Sequence, residues 1–417
     1  MEAGNSGDRS LRIIFDYAGR IGQEQDTDTL LRLNADMARD LIGSDRCSIW
    51  LVDSAARQLH TKVAHGVGEI RVGLGHGLVG ACVAKGEPVI VNDTSADQRF
   101  LDRVDHSTGY VTNSVLAIPL RTSDGTVIGA FQALNKPGGF SDSDVALLRL
   151  AGSYSAVAIE TQRLRKDAET ARMFRHELEI ARDVQARLLP EGSPHVEHLD
   201  FAAFFRPAKF VGGDYYDFID SPGGKLAFTL GDVSGKGIAA AVLMASIQAS
   251  LRIPLLHGPE SLTELLADVN RSFHDSYASM RYSTLFCGLI DASGRRLTYV
   301  NAGQCPPILV RRREAGVTIE RLTTGGTPIG LLPAAQYSED TVALEPGDLL
   351  VCYSDGVSEA MNSSGEMWRE SEIVALLSAA ANLSPREVTD RLIQGADAFA
   401  GEAEQADDMT VVTLRVR

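Results

Sequence analysis

The chain has 417 residues, 44% hydrophobic and 23% charged, with a formal net charge of −15 at pH 7. That length allows two cores, and the acidic balance excludes the basic stripe of a nucleic-acid binder. No apolar run reaches eighteen residues, MEAGNSGDRS lacks a leader's apolar core, and the five scattered cysteines form no CxxC pair; a reducing cytosol is expected, with no membrane span and no disulfide framework.

The predicted elements begin with helical patterns over Leu11–Ile21 and Leu30–Leu41. Strand-like runs follow at Cys47–Asp53, Gln58–Ala64, Pro88–Asp93, Ser114–Leu120 and Thr126–Asn135. GLVGACVAKG reads as a short helix closed by Gly86. RTSDGT reads as a hairpin turn, with Asp124 and Gly125 supplying positive φ values. Two helices, then a mostly antiparallel sheet interrupted by helix, make an α+β domain of roughly 150 residues.

From Ser141 to about Pro190 the pattern is helical, with N-cap candidates in SDSD. Ala171, Phe174, Leu178, Ala181, Gln185 and Leu188 repeat at spacings of three and four. Two readings stay open: an amphipathic helix packed on its own domain, or a dimer-forming coiled-coil connector in which Gln185 is a polar interruption. Beyond Pro190, strands such as DFAAFFRPA, KLAFTLGDVS, YSTLFCGLID, RLTYVNAG, DLLVCYSDG and MTVVTLRV alternate with helices at IAAAVLMASIQASLRIPL, SLTELLADVNRSFHDSYASM, SEIVALLSAAA and SPREVTDRLIQGADAFAG. Two sheets covered by helices are expected.

Four acidic motifs punctuate this half: GGDYYD (Gly212–Asp217), GDVSGKG (Gly231–Gly237), SDG (Ser354–Gly356) and DDMT (Asp407–Thr410). Each sets an aspartate beside an apolar, strand-like run, where an ionised carboxylate is unfavourable unless a cation offsets its desolvation. Oxygen donors without a Cys/His cluster favour Mg²⁺ or Mn²⁺ over zinc. A lone Asp-Gly is more often a turn; Tyr215, Tyr216 and Phe218 read as core, and Lys236 and Arg206 as solvated surface charges.

In order, GGDYYDF, GDVSGKGIAAAVLMA, YVNAG-PP, GGTPIGLL, PGDLLVCYSDGVSEAMN and ADDMTVV resemble the PPM/PP2C-type serine/threonine phosphatases of the SpoIIE/RsbU group, over about Glu177–Arg417. The resemblance implies an αββα sandwich holding two Mn²⁺ or Mg²⁺ ions. It assigns Asp232 as the bridging carboxylate, the Val233 carbonyl as a further ligand, and Asp355 and Asp407 as ligands of the first metal. Asp214 would reach the second metal through water, and Asp408 is a ligand or a support behind the ligands. Asp232, Asp355 and Asp407 would be catalytic, through a water activated between the metals. The family often reads NAGH, whereas here Asn301-Ala302-Gly303 is followed by Gln304 and Cys305; if that histidine serves as a proton donor, Gln304 cannot replace it, though it can keep a hydrogen bond.

The first domain resembles a GAF domain over roughly Leu11–Arg163, on GHGLVGACVAKGEPVIVND (Gly75–Asp93), SVLAIPL and VIGAFQALNK. That implies a pocket for a small molecule such as a cyclic nucleotide, haem or a bilin. Asn135, Lys136, Phe140 and Asp144 echo the NK…F…DE pattern of cyclic-nucleotide GAF domains, with Val145 in place of glutamate; a turn and helix cap explain them equally. His60, His65, His76 and His106 raise haem ligation, against plain surface histidines.

The expected organisation is a GAF sensor at 1–163, a helical connector at 164–190 and a phosphatase at 191–417. The implied function is Mn²⁺/Mg²⁺-dependent dephosphorylation of phosphoserine or phosphothreonine on a STAS-type anti-sigma-factor antagonist. A homodimer, a small-molecule GAF ligand, a cytoplasmic location, and neither nucleic acid nor membrane as partner complete the expectation. Repacking of Phe174–Leu189 would pass the sensor's state to Asp214 and Asp232. The rivals are a non-catalytic scaffold and a hydrolase of small phosphate esters.

Overall fold

The computed structural model describes residues 3–63, 69–102, 105–106, 109–277, 281–314 and 316–417. The chain divides into two compact units, Met1–Met173 and Phe174–Arg417.

In the first unit, helices α1 (Ala3–Gln23) and α2 (Thr27–Ile42) precede a six-stranded antiparallel sheet of order β3-β2-β1-β6-β5-β4. Its strands are β1 (Arg46–Asp53), β2 (Gln58–Val63), β3 (Ile70–Gly73), β4 (Val89–Val91), β5 (Val115–Arg121) and β6 (Val127–Leu134), with α3 (Gly77–Lys85) inserted after β3. Asp26 caps α2 by accepting from the Thr29 N–H, and Gly43 and Gly86 end α2 and α3 in the left-handed region. Alternation along the strands builds two cores. Leu116, Ile118 and Phe131 join Leu31, Met37 and Leu148 on one face; Val115, Ala117 and Ala130 join Trp50, Val79 and Cys82 on the other.

The RTSDGT turn is built differently from expectation. Gly125 has φ 88 but Asp124 does not enter positive φ. The Asp124 carboxylate instead accepts from the Thr122 hydroxyl and the Thr126 N–H, which closes a longer loop through its side chain.

Helix α4 (Asp142–Leu188) is continuous for 47 residues, and the division between the units falls inside it. Leu148 and Ala151 enter the core of the first unit, and Leu188 and Leu189 pack on that of the second. Between those ends Leu150, Val157, Leu164, Met173, Phe174, Ile180 and Val184 are exposed.

The second unit stacks two sheets. One has the order β14-β11-β10-β9-β8, with β15 also on β11: β8 (Tyr215–Ser221), β9 (Lys225–Val233), β10 (Ser283–Ile290), β11 (Arg296–Ala302), β14 (Gly325–Gly326) and β15 (Asp340–Ala343). The other has the order β13-β12-β16-β17-β7: β7 (Leu199–Arg206), β12 (Ile308–Arg313), β13 (Gly316–Arg321), β16 (Leu349–Tyr353) and β17 (Met409–Val416). Helices α5 (Ile238–His257) and α6 (Leu262–Tyr277) belong to the core of the first sheet, while α8 (Glu370–Ala379) and α9 (Pro385–Ala400) cover the second. A single turn, α7 (Asp355–Ser358), follows β16. Phe228, Phe286, Leu350, Val412 and Leu414 share the core between the sheets. The αββα arrangement follows from strands apolar on both faces. Helix α5 has the length and composition to cross a membrane, but Ala240, Met244, Ile247, Leu251 and Leu255 are buried in this core.

Candidate metal centre

Strand pairing brings the acidic motifs together. Tyr215 pairs with Gly231, which sets Asp214, just before β8, beside Asp232, near the end of β9. In the other sheet Tyr353 pairs with Val411, and the Ser354 N–H donates to the Thr410 carbonyl. Asp355 therefore leaves β16 where Asp407 and Asp408 enter β17. The sheets are tied across this end by the Thr410 hydroxyl, which donates to Asp214 Oδ2 at 2.6 Å.

Asp408 holds the glycine loop before β8: its Oδ1 accepts from the Ala208 N–H at 2.7 Å and its Oδ2 from the Gly213 N–H at 2.7 Å. Two glycines are dictated by space rather than by φ. A Cβ on Gly213 would lie 2.6 Å from the Val233 carbonyl oxygen, and one on Gly356 would lie 2.0 Å from that of Asp408. The first bare position leaves a cradle around a backbone oxygen assigned as a ligand.

The electrostatics are those of crowded anions with a single ammonium, that of Lys236 on Asp407, beside them. Asp214 is 1% exposed, and burial, then the charge of Asp232, holds its carboxyl well above the ordinary range. Burial, with Asp355 and Asp407 nearby, pushes Asp232 up to about 7. Burial, with Glu359 and Asp407, pushes Asp355 up to about 6. Asp408 is raised by burial even though backbone amides donate to it. Among the described residues no three His, Cys, Asp or Glu side chains are closed into a ready-made coordination cluster. Asp214 and Asp232 are hydrogen-bonded to each other, and the remaining contacts of the aspartates go to Thr410 and Ser354, to backbone amides and to Lys236. The donor set is all oxygen and in want of positive charge, and the loop beside Val233 is bare, so these residues fit hard divalent cations.

Several expectations change or sharpen. Lys236 is an exposed lysine, as expected, but a paired one: its ammonium lies 2.8 Å from Asp407 Oδ2 and also donates to the Ala406 carbonyl. Arg206 is committed to Asp397 and Gln405. Gln304 is 4% exposed; its Oε1 accepts from Thr284 Oγ1 and its Nε2 donates to the Tyr353 carbonyl at 3.2 Å, so its amide knits β10, β11 and β16 together. Gln185 is likewise no mere interruption of an apolar stripe, being 5% exposed and hydrogen-bonded to Gly212. Thr410 and Gln185 were the contributors that sequence reasoning passed over as site residues. Thr410 closes the DDMT motif, and Gln185 was visible as the polar member of the stripe.

Four cysteines are buried and Cys305 is partly buried; burial raises every thiol, that of Cys305 to about 12, which leaves no reactive thiolate. In the first unit Lys136 pairs with buried Asp144, which also accepts from the Ser141 N–H, and Asn135 accepts from the Asn113 N–H. These contacts staple a turn to the start of α4. His76 and His106 are exposed, His60 is half-buried on β2, and His65 lies outside the described residues.

Comparison with known proteins follows the same division. Residues 26–159 match the GAF domain profile, and residues 222–417 match that of stage II sporulation protein E. Protein IcfG of Synechocystis sp. is 29% identical over 270 residues, 58% of this chain and 41% of that protein. The phosphoserine phosphatase RsbU of Bacillus subtilis is 28% identical over 245 residues, 58% of this chain and 70% of RsbU. The chain thus spans well under half the length of IcfG. The SiaA PP2C domain of Pseudomonas aeruginosa shares the fold, with a TM-score of 0.52 at 19% identity over 60% of this chain and all of that domain.

Proposed function

We propose a function from this premise: the chain is a GAF domain joined to a PP2C-type serine/threonine phosphatase domain of the SpoIIE kind. The activity is hydrolysis of phosphoserine or phosphothreonine on a protein partner, under control of the GAF domain. The observation that carries it is the gathering of Asp214, Asp232, Asp355, Asp407 and Asp408 at one end of two sheets, with carboxyls raised by burial and mutual repulsion.

Asp214, Asp232, the Val233 carbonyl, Asp355 and Asp407 would hold two Mn²⁺ or Mg²⁺ ions. When bound, such ions supply a water that ionises near neutral pH and positive charge opposite the phosphoryl oxygens. The rest falls to the chain. Asp232 and Asp355, whose carboxyls burial and neighbouring charge raise, would be ionised as ligands of such ions. Asp408, spent on three backbone amides, fixes the loop Gly212–Asp214. Thr410 fixes the Asp214 carboxylate by donating to its Oδ2. No cysteine is placed or ionised to act as a nucleophile.

For the partner we propose a serine-phosphorylated STAS-type protein, on the likeness to the phosphoserine phosphatase RsbU. A homodimer is supported by the exposed apolar residues of α4, and a cytosolic location by five unbridged cysteines. The GAF ligand belongs to the small molecules that such domains take.

The deciding experiment is Mn²⁺-dependent phosphate release from a serine-phosphorylated STAS protein by the intact chain and by Asp232→Ala. Release by the first, reduced at least about 100-fold in the second, is expected. Binding of the phosphoprotein with no release under any divalent metal would replace the enzyme with a scaffold.

A further inference from the structure

Lys236 brings an ammonium to the aspartate end from the loop Ser234–Gly237, between β9 and α5. It lies 2.8 Å from Asp407 Oδ2 and donates to the Ala406 carbonyl. An ammonium has three donors, so one N–H is left over, and it has no partner among the described residues. The Lys236 side chain is 39% exposed and that of Asp407 29%, which puts the pair at the surface of the site.

The root of the loop is fixed, whereas the side chain is not. Strands β9 and β10 stay in register past their ends. Ser283 pairs with Val233, the Ser234 N–H donates to the Tyr282 carbonyl at 2.8 Å, and the Tyr282 N–H donates to Ser234 Oγ at 3.0 Å. Arg281 then donates from Nη1 to the Ser234 carbonyl at 2.7 Å, and its guanidinium fills the space that a Cβ on Gly235 would need. These bonds hold the backbone beside Lys236 whatever its ammonium does. A lysine head is a compact charge on a flexible four-carbon stem, and an ion pair this exposed contributes little to stability, so little opposes its leaving Asp407.

Charge decides where the ammonium would go. Asp214, Asp232, Asp355, Asp407 and Asp408, once ionised, carry one negative charge more than two divalent cations offset, and a phosphoserine adds about −2 at neutral pH. The loaded site is therefore still short of positive charge when the phosphate arrives, while Asp407 on a cation has less charge to offer the lysine. Arg206, opposite Met409 on the neighbouring strand, is taken by Asp397 and Gln405, and Arg281 is taken by the Ser234 carbonyl. Lys236 has both the reach and an unused donor, and a charge-assisted bond to a phosphoryl oxygen is stronger than the exposed pair it replaces.

We infer that Lys236 is a substrate-binding residue whose ammonium exchanges Asp407 for the phosphoryl oxygens of the phosphoprotein when the site is loaded. The inference rests on the phosphatase reading and adds the side chain that takes the substrate's phosphate.

The test compares the full chain with Lys236→Met, Lys236→Arg and Lys225→Met, the last of which removes the same charge from the exposed start of β9, at the far end of that strand. Equilibrium dialysis reads orthophosphate binding to the Mg²⁺-loaded protein, and calorimetric titration reads Mg²⁺ binding without phosphate. Lys236→Met should bind orthophosphate at least about tenfold more weakly, the loss expected of one charge-assisted hydrogen bond, with Mg²⁺ affinity within about twofold of the wild type. Lys236→Arg should recover most of that loss, and Lys225→Met should match the wild type. Wild-type orthophosphate affinity in Lys236→Met overturns the inference. So does an equal loss of Mg²⁺ affinity, because Lys236 would then only hold Asp407, and so does an equal orthophosphate loss in Lys225→Met, which would reduce the effect to net charge. A wild-type chain that takes up no Mg²⁺, and binds orthophosphate no better with it than without, overturns the phosphatase reading instead.

Discussion

At Asp214 a buried carboxylate accepts from the Thr410 hydroxyl at 2.6 Å, with Ser354 as a second donor. Thr410→Val keeps the shape and removes the donor, so the metal-free protein should lose about 1–3 kcal/mol of stability in urea unfolding; an unchanged midpoint would mean that Asp214 is satisfied elsewhere. Asp232 and Asp355 make a second prediction. Their folded values, about 7 and about 6, lie above the ordinary 3.8, so between about pH 4 and pH 7 the folded state binds more protons than the unfolded one. The stability they contribute is complete below about pH 4 and is lost as pH rises through 6 and 7. Without metal the melting temperature should fall from pH 5 to pH 8; with saturating Mn²⁺, whose binding needs ionised carboxylates, it should rise across the same window. Identical profiles with and without Mn²⁺ would show that these groups do not meet the cation. The aspartates were legible because each sits in a short motif beside an apolar strand. The particular partners of Lys236 and Gln304, 171 and 20 or more positions away, were not legible because no local pattern encodes them.

At the scale of elements, most helices and strands were readable from period and caps: α2 from Asp26 and Gly43, α3 from Gly86, and α4 from the run that Pro190 closes. The short edge strands β3 and β13 were passed over because they bury one face at most. Strand β8 was read as motif rather than strand because Gly212 and Gly213 precede it and its two aspartates mask the alternation. At the sheet ends the Gln304 amide, just after β11, joins β10 to β16, so a change to histidine trades two fitted contacts for a bulkier ring. Gln304→His should therefore destabilise the second unit by about 1–3 kcal/mol, about 2–4 °C in melting temperature for each kcal/mol. A variant as stable as the wild type and faster in phosphate release would show instead that the glutamine replaces a catalytic group.

On the scale of the whole molecule, each unit has its own buried cores, and each should unfold as a cooperative body. Scanning calorimetry should resolve two transitions, and Mn²⁺ at about 100 times its dissociation constant should raise only that of the second unit, by about 2.7 kcal/mol. Equal shifts of both would mean that the units melt as one. The hydrogen bond from Thr410 to Asp214 joins residues 196 positions apart, and this separation bears on time as well as geometry. Contacts so distant in sequence are made late, because a long loop must close before they give anything back. Strand β17, lying between β16 and β7, must be in register before Asp407 and Asp408 can face Asp214 and Asp232. No partly folded chain can then assemble the aspartate end, and in a refolding experiment Mn²⁺ capture should follow the slowest phase, as a clock for completion of the sandwich.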